Sequence, residues 1–337
     1  MRRHAPWLLA LLFGALGVAF SVGVVAQEAA PVTTRTISIA TLAPPGSTWM
    51  RVFDAWNREV RRRSNKALGL RFYPGGVQGD ESEVIRKIRS GRLDGGAVTA
   101  VGLSQIHRPT LTLQMPGMFR TYAGLDNARN ALGPELSTAF ESAGFVHMGW
   151  ADVGFTRIFS QTPVQTPEQL ATTRPFAWRD DLVLPALFQV TRASAVPLQL
   201  PEVLSALQTN RINSFITAPV SAVALQWSSR ATHMTDMQLS VVIGATVIGR
   251  TQWNTLTPEQ QTIMRETGTQ FHALARRNLR SDEQTALASF PTRSITIVTV
   301  DAAQRARWDS VFSQTRQRLT GHIADAAFIG RVQTLGH

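Results

Sequence analysis

One stretch, residues 174–219, limits what this chain can fold into: RPFAWRDDLVLPALFQVTRASAVPLQLPEVLSALQTNRINSFITAP. It alternates short extended runs with short helical ones. Residues 174–178 are aromatic-rich and extended. Asp180 or Asp181 can cap a helix carrying Leu182, Leu184, Leu187 and Phe188. Residues 195–200 are extended again. Pro201 and Glu202 open a second helix, with Val203, Leu204 and Leu207 at helical spacing. Asn210 stops it, and 212–217 is the next strand. This alternation predicts an α/β fold with a parallel, doubly wound sheet, which takes ligands at the carboxyl ends of its strands. Trp178 with Arg179, and Thr217 to Pro219, sit at two such ends.

The rest of the chain has the same grain. Extended runs at 36–41, 68–73 and 93–99 enclose two helices. Ser47 caps the first, whose Trp49, Val52, Phe53, Trp56 and Val60 share a face. Asp80 and Glu83 open the second as a capping box, and Gly91 ends it. Residues 124–144 read as a helix, and 145–160 as a long extended segment broken at Gly149 and Gly154, suited to passing between lobes. Thr166-Pro167-Glu168 opens a short helix. After 219–228, which is helical, 239–248 is extended, and a long helix starts at Thr257 and runs to about Leu287. Residues 295–300 form a strand, Asp301 caps a basic helix ending near Gly321, and 324–334 is one more short helix.

The N-terminus bears on the compartment. Arg2 and Arg3 precede an apolar run from Trp7 to Val25, and Val24-Val25-Ala26 offers a small-residue cleavage site before Gln27. That is the build of a secretory signal peptide; the rival reading is an uncleaved anchor. Residues 27–35 follow as a linker. The chain has no cysteine, which excludes disulfides, thiolate metal sites and a lipid-bearing cysteine. Its net charge of +11 drops to +9 without residues 1–26, and suggests anionic partners or a membrane-facing role. The longest basic run is Arg61-Arg62-Arg63 and no base-reading motif is present, so nucleic acid is not an expected partner.

Catalytic signatures are missing. The histidines at 4, 107, 147, 233, 272, 322 and 337 are scattered, with no pair at metal-ligand helical spacing. Gly102-Leu103-Ser104-Gln105 is half a nucleophile elbow, but Ile106 stands where the second glycine belongs. There is no Walker loop. Adjacent Asp80 and Glu81 do not face each other on a helix and read as a cap and a surface acid.

The order of motifs resembles a known family. The segment VPLQLPEVLSALQTNRINSFITAP resembles the "pvplp…evytALqtGvvDg" signature of DctP-family solute-binding proteins of TRAP (tripartite ATP-independent periplasmic) transporters. YPGGVQGDESEVIRKIRSGRLDGG resembles the family's "yPgg.lGgd.e.v..v..G.ld", and LTLQMPGMF its "lPflf". The resemblance covers nearly all of 36–300. It implies a two-lobed periplasmic binding-protein fold with a ligand cleft between lobes and a long bridging helix. Lobe I would hold 36–152, with 241–275 returning to it; lobe II would hold 153–240, with 276–337 packed on it. It implies a periplasmic, non-enzymatic receptor with no cofactor and no obligatory metal. Such a receptor closes on a small organic ligand by hinge motion and delivers it to TRAP membrane permease subunits. The branch it resembles also works with a tetratricopeptide-type periplasmic partner. The alternative is a periplasmic scaffold protein on the same fold.

The chain departs from the family pattern where ligand is held. Family members are expected to pair an arginine of the second-lobe strand with a ligand carboxylate, because the guanidinium fork matches two oxygens. Phe176 falls at that position, with Arg174 two residues before it and Arg179 three after. Asn210 replaces a glycine, Asn213 an aspartate, and Ala218-Pro219 the usual Asn-Pro. The ligand-facing candidates are therefore Leu42, Gln78, Thr99, Phe155, Phe176, Trp178, Arg179, Ala218 and Trp227. Arg179 is the one cation among them. The ligand expected is a small organic molecule, either carboxylate-bearing, with Arg179 or Arg174 replacing the family arginine, or largely apolar. An unpaired carboxylate is costly to bury, so the aromatic set favours a ligand more apolar than a simple dicarboxylate or sialic acid. Trp56 and Trp308, on helix faces, are expected in the core.

Overall fold

The computed structural model describes residues 34–336. The expected leader, 1–26, and most of the linker, 27–35, lie outside the described residues.

Alternation sets the first strand: Ile37 and Ile39 of β1 (Arg35–Thr41) are fully buried. β1 pairs in parallel with β2 (Leu68–Tyr73) and β3 (Gly95–Thr99). β4 (Phe145–Phe155) continues through one residue, Thr156, into β5 (Arg157–Ser160). There follow β6 (Phe176–Trp178), β7 (Val196–Leu198), β8 (Ser214–Thr217), β9 (His233–Thr235), β10 (Val241–Gly249) and β11 (Thr296–Val298). The main sheet has the order β2-β1-β3-β10-β4, with β10 antiparallel to both neighbours. A second sheet runs β11-β9-β5-β8, and β6 pairs with β7 alone.

The chain thus crosses between the two larger sheets at Thr156 and again just before β10. The crossings are bonded to each other: Thr156 N donates to Ser240 O at 2.8 Å and Leu239 N to Thr156 O at 3.2 Å. Register shifts in the β4–β10 pairing fall between Val242 and Ile243 and between Thr246 and Val247, opposite the Gly149 and Gly154 regions.

The helices begin where their caps predict. Ser47, Asp80, Thr166, Thr257 and Asp301 each accept a hydrogen bond from a first-turn backbone N–H. The helix Thr48–Arg63 turns Trp49, Val52, Phe53, Trp56 and Val60 inward, and Arg61–Arg63 occupy its last turn, opposite the negative end of the helix dipole. The helix Pro258–Ser289 lies along β4 and against Thr48–Arg63; Trp56 Nε1 donates to Thr267 Oγ1 at 2.9 Å. Gly268 allows the close approach, since a Cβ there would stand 2.8 Å from the Met148 carbonyl oxygen. Trp56 and Trp308 are both fully buried, as expected.

The stretch 174–219 differs from the single parallel sheet its alternation predicts. β6 and β7 do pair in parallel, but β8 joins the second sheet antiparallel to β5. Among the described residues, β6 meets that sheet through the bridge from Pro175 to Ser214 and the adjoining hydrogen bond from Asn213 N to Arg174 O. Pro175 and Pro197 carry no N–H, so neither strand can sustain a ladder on both sides. Asp181, rather than Asp180, caps the following helix, its carboxyl accepting from Val183 N and Leu184 N. Asn210 has φ +54°, the left-handed conformation its replaced glycine would adopt freely and asparagine tolerates.

Candidate functional site

Between the main sheet and the β6–β7–β8 region lies a cavity of about 160 Å³. The carboxyl ends of β1 and β3 supply Thr41, Leu42 and Thr99; the crossings supply Thr156 and Ser240; β6 and β8 supply Phe176, Trp178 and Thr217. Trp49 and Phe53 of the first long helix and Trp227 complete an aromatic wall. Phe176 meets Trp227 edge-on at 5.6 Å, and Trp227 meets Phe215 edge-on at 5.5 Å. Among the described residues lining the cavity there is no lysine and no arginine.

The charged groups at the wall are acids: Glu81, Asp152 and Asp181. Glu81 was expected at the surface, but it is 1% exposed, and Asp80 is 4% exposed. The reason is that Glu81 turns back into the main sheet. Its Oε1 accepts from Thr99 N at 2.7 Å, and its Oε2 from Thr99 Oγ1 at 2.7 Å and Gly102 N at 2.8 Å. Burial outweighs these donors and raises the carboxyl to about 7. Burial also pushes Asp181 up, against its backbone donors. Asp152 is answered differently. Arg129 donates to one of its oxygens and Arg280 Nε to the other at 2.8 Å, while Arg280 also grips Asp126 at 2.7 Å. Burial opposes ionisation of Asp126, but the hydrogen bonds from Arg280 and Arg129 prevail and hold it at about 2. Arg129 and Arg280 are thus engaged behind the wall.

The residues predicted from sequence divide cleanly. Leu42, Thr99, Phe176, Trp178 and Trp227 line the cavity. Gln78 does not; its carbonyl and Oε1 accept from Lys87 Nζ at 2.9 and 3.2 Å. Phe155 is 1% exposed and packs against Tyr122 at 4.8 Å, because β4 alternation turns it away while Thr156 faces the cavity. Ala218 is fully buried beneath the helix Pro219–Ala224, which it precedes. Arg179 stands outside the lining, 3.7 Å from Glu202. Arg174 is exposed, its guanidinium donating to the Asn210 carbonyl at 2.9 Å.

Sequence reading missed Glu81, Asp152, Asp181 and Arg157. The signal for Asp152 is an acid inside an apolar strand run, GWADVGF, where a charge needs a buried partner. Arg157 is buried and stands directly across from cavity-lining Thr217. Its Nε makes no hydrogen bond among the described residues, and Asp236 Oδ1 lies 3.8 Å away. Its Nη1 donates to the Thr156 carbonyl at 3.3 Å.

The family DctP, bacterial extracellular solute-binding protein, family 7, matches residues 39–320. The chain belongs to this family. A DctP-family relative, the 2,3-diketo-L-gulonate-binding periplasmic protein YiaO of Escherichia coli (strain K12), is 23% identical over 290 residues, covering 81% of this chain and 83% of YiaO. Among solved structures, a TRAP periplasmic solute-binding protein of Shewanella oneidensis with bound succinate superposes with a TM-score of 0.85 at 14% identity, over 90% of this chain and 100% of that one. The sugar acid binding protein of Advenella mimigardefordensis strain DPN7T, in complex with galactonate, also gives 0.85 at 13% identity, over 90% and 98%. The fold of this DctP-family chain is therefore that of the two-lobed TRAP binding proteins. Its relatives are binding receptors, not enzymes, and the family implies TRAP membrane partners. No helix among the described residues is long and apolar enough to cross a membrane.

Proposed function

We propose that this chain is a periplasmic solute receptor that captures a small, largely apolar organic molecule in the aromatic cavity and hands it to TRAP permease subunits. Residues 36–152 with 241–275 would form one lobe, and 153–240 with 276–337 the other, hinged at Thr156 and Ser240. A tetratricopeptide-type periplasmic partner belongs to this reading through the family resemblance alone; its absence from pull-downs of the tagged receptor would remove it. The single observation carrying the ligand class is the wall of Trp49, Phe53, Phe176, Trp178 and Trp227 with no lysine or arginine among its described residues. A carboxylate there would be buried beside Glu81 and Asp181 without a counter-ion.

A second reading rests on the unbonded Nε of buried Arg157 and on relatives that bind acids such as succinate and galactonate. In it, Arg157 reaches a small carboxylate past Thr217. Native mass spectrometry of protein purified without denaturation, followed by extraction of the bound molecule, separates the two. An uncharged, largely apolar molecule supports the first. A sugar acid or dicarboxylate, with stabilisation lost in Arg157→Ala, replaces it with the second.

A further inference from the structure

Three consecutive residues at one helix start do different things. Glu81 reaches the cavity wall from the first turn of the helix Glu81–Arg89. Its neighbours reach across the cleft. Asp80 Oδ2 accepts from Trp178 Nε1 at 2.9 Å and, more weakly, from Leu200 N at 3.4 Å. Ser82 Oγ donates to Asp180 Oδ2 at 2.5 Å. Asp80 and Ser82 sit on the element packed on the main sheet; Trp178, Asp180 and Leu200 belong to the β6–β7 side. Trp178 also lines the cavity, whereas Asp80 does not. Asp80 is 4% exposed, so the charge-assisted bond is shielded from water.

We infer that Asp80 is the positioning residue of a latch that couples cavity occupancy to cleft closure, with the Trp178 indole as the shared part. The ring face is available to solute while its N–H is held by the opposite side. A solute that orders the Trp178 ring therefore aligns the N–H for Asp80, and closure in turn fixes the ring against the solute. Ser82 and Asp180 add a second tie beside it. The inference rests on the cavity being the solute site.

The chain lacks cysteine, so Val77→Cys and Leu182→Cys give a clean spin-label pair on exposed residues either side of the latch. Asp80→Ser keeps a helix-capping hydroxyl but is too short to reach Trp178; Trp178→Phe keeps a ring but removes the N–H. N-phenyl-1-naphthylamine, neutral and fluorescent when buried, serves as the solute probe. The expected result is a longer, broader label distance and about tenfold faster probe release in either variant, the size of one charge-assisted hydrogen bond. The double variant should be no worse than the single ones. Unchanged distances and release rates in both variants overturn the latch. If the probe fails to bind the unaltered protein, the cavity reading falls and the coupling falls with it; probe binding with unchanged release and unchanged distances overturns the latch alone.

Discussion

Two buried carboxyls face the same cavity and are stabilised in opposite ways. Asp152 is held by Arg129 and Arg280, cations brought from two helices. Glu81 is held by neutral donors, Thr99 and Gly102, and is raised to about 7. The difference shows where the chain has placed its positive charge. The Arg129 and Arg280 guanidinium groups close a network with Asp126 and Tyr122; Arg280 lies 4.2 Å over the Tyr122 ring, and the Tyr122 hydroxyl donates to Glu283. They stiffen the back of the site and leave its front aromatic. On the proposed reading, a pocket built this way would orient a solute by shape and ring contacts more than by charge.

The largest break in that contrast comes from the charged side. Arg129→Ala strips one partner from Asp152, which is 1% exposed, and is expected to cost about 3–5 kcal/mol in urea unfolding. A loss below about 1 kcal/mol would mean that Arg280 alone satisfies Asp152. The aromatic side comes next. Phe176→Ala removes the ring stacked edge-on against Trp227 and is expected to cost about 3 kcal/mol. It should also weaken retention of N-phenyl-1-naphthylamine; retention equal to the unaltered protein would place the solute elsewhere.

How much of this could be read from sequence depended on range. Helix starts at Ser47, Thr166, Thr257 and Asp301 were legible, because a cap and the N–H it serves lie within one turn. The aromatic character of the cavity was legible too, since Phe176 and Trp178 share a strand face by simple alternation and both line it. Glu81 was not legible. Its partners Thr99 and Gly102 reach it only once the main sheet has formed, and the residue beside a cap ordinarily faces solvent. The network of Arg129, Asp152 and Arg280 joins distant segments, so no local pattern marks it. Phe155 and Ala218 show the limit of strand-end reasoning: one residue decides which face a side chain takes, and Thr156, not Phe155, faces the cavity. Antiparallel pairing of β8 was hidden for the same reason, because alternation of elements does not state which sheet a strand joins.

The Glu81 side of the contrast carries a pH signature. Its folded value, about 7, lies above the ordinary 4.5, so the folded protein holds more protons than the unfolded chain in between. Stability from this group is therefore full below about 4.5 and is lost as pH rises to about 7. The buried imidazoles have the opposite sign. Burial lowers His272 to about 4 and His147 to about 3, so stability from them is lost as pH falls from 6.5. Subtracting the profile of Glu81→Gln from that of the unaltered protein isolates the Glu81 term. The difference should change by about 2–3 kcal/mol between pH 4.5 and 7, with a constant offset for the altered hydrogen bonds. A flat difference would show that Thr99 and Gly102 hold Glu81 ionised throughout.

The smallest effect is the most direct check on where the family's charge has gone. Arg179 is the cation nearest in sequence to the aromatic strand, yet its side chain is 55% exposed and its partner Glu202 is 46% exposed. At 3.7 Å in water that pair contributes little, because each group is solvated before and after pairing. Arg179→Ala is therefore expected to change stability by no more than about 0.5 kcal/mol. It should leave retention of N-phenyl-1-naphthylamine untouched, while Phe176→Ala reduces it. The two substitutions lie three residues apart in sequence, so a contrast between them reports side-chain direction rather than damage to the strand. If Arg179→Ala instead abolished stabilisation by succinate, the loop arginine would be reaching inward in the bound state. The aromatic wall would then be the packing around a charged site and not the site itself.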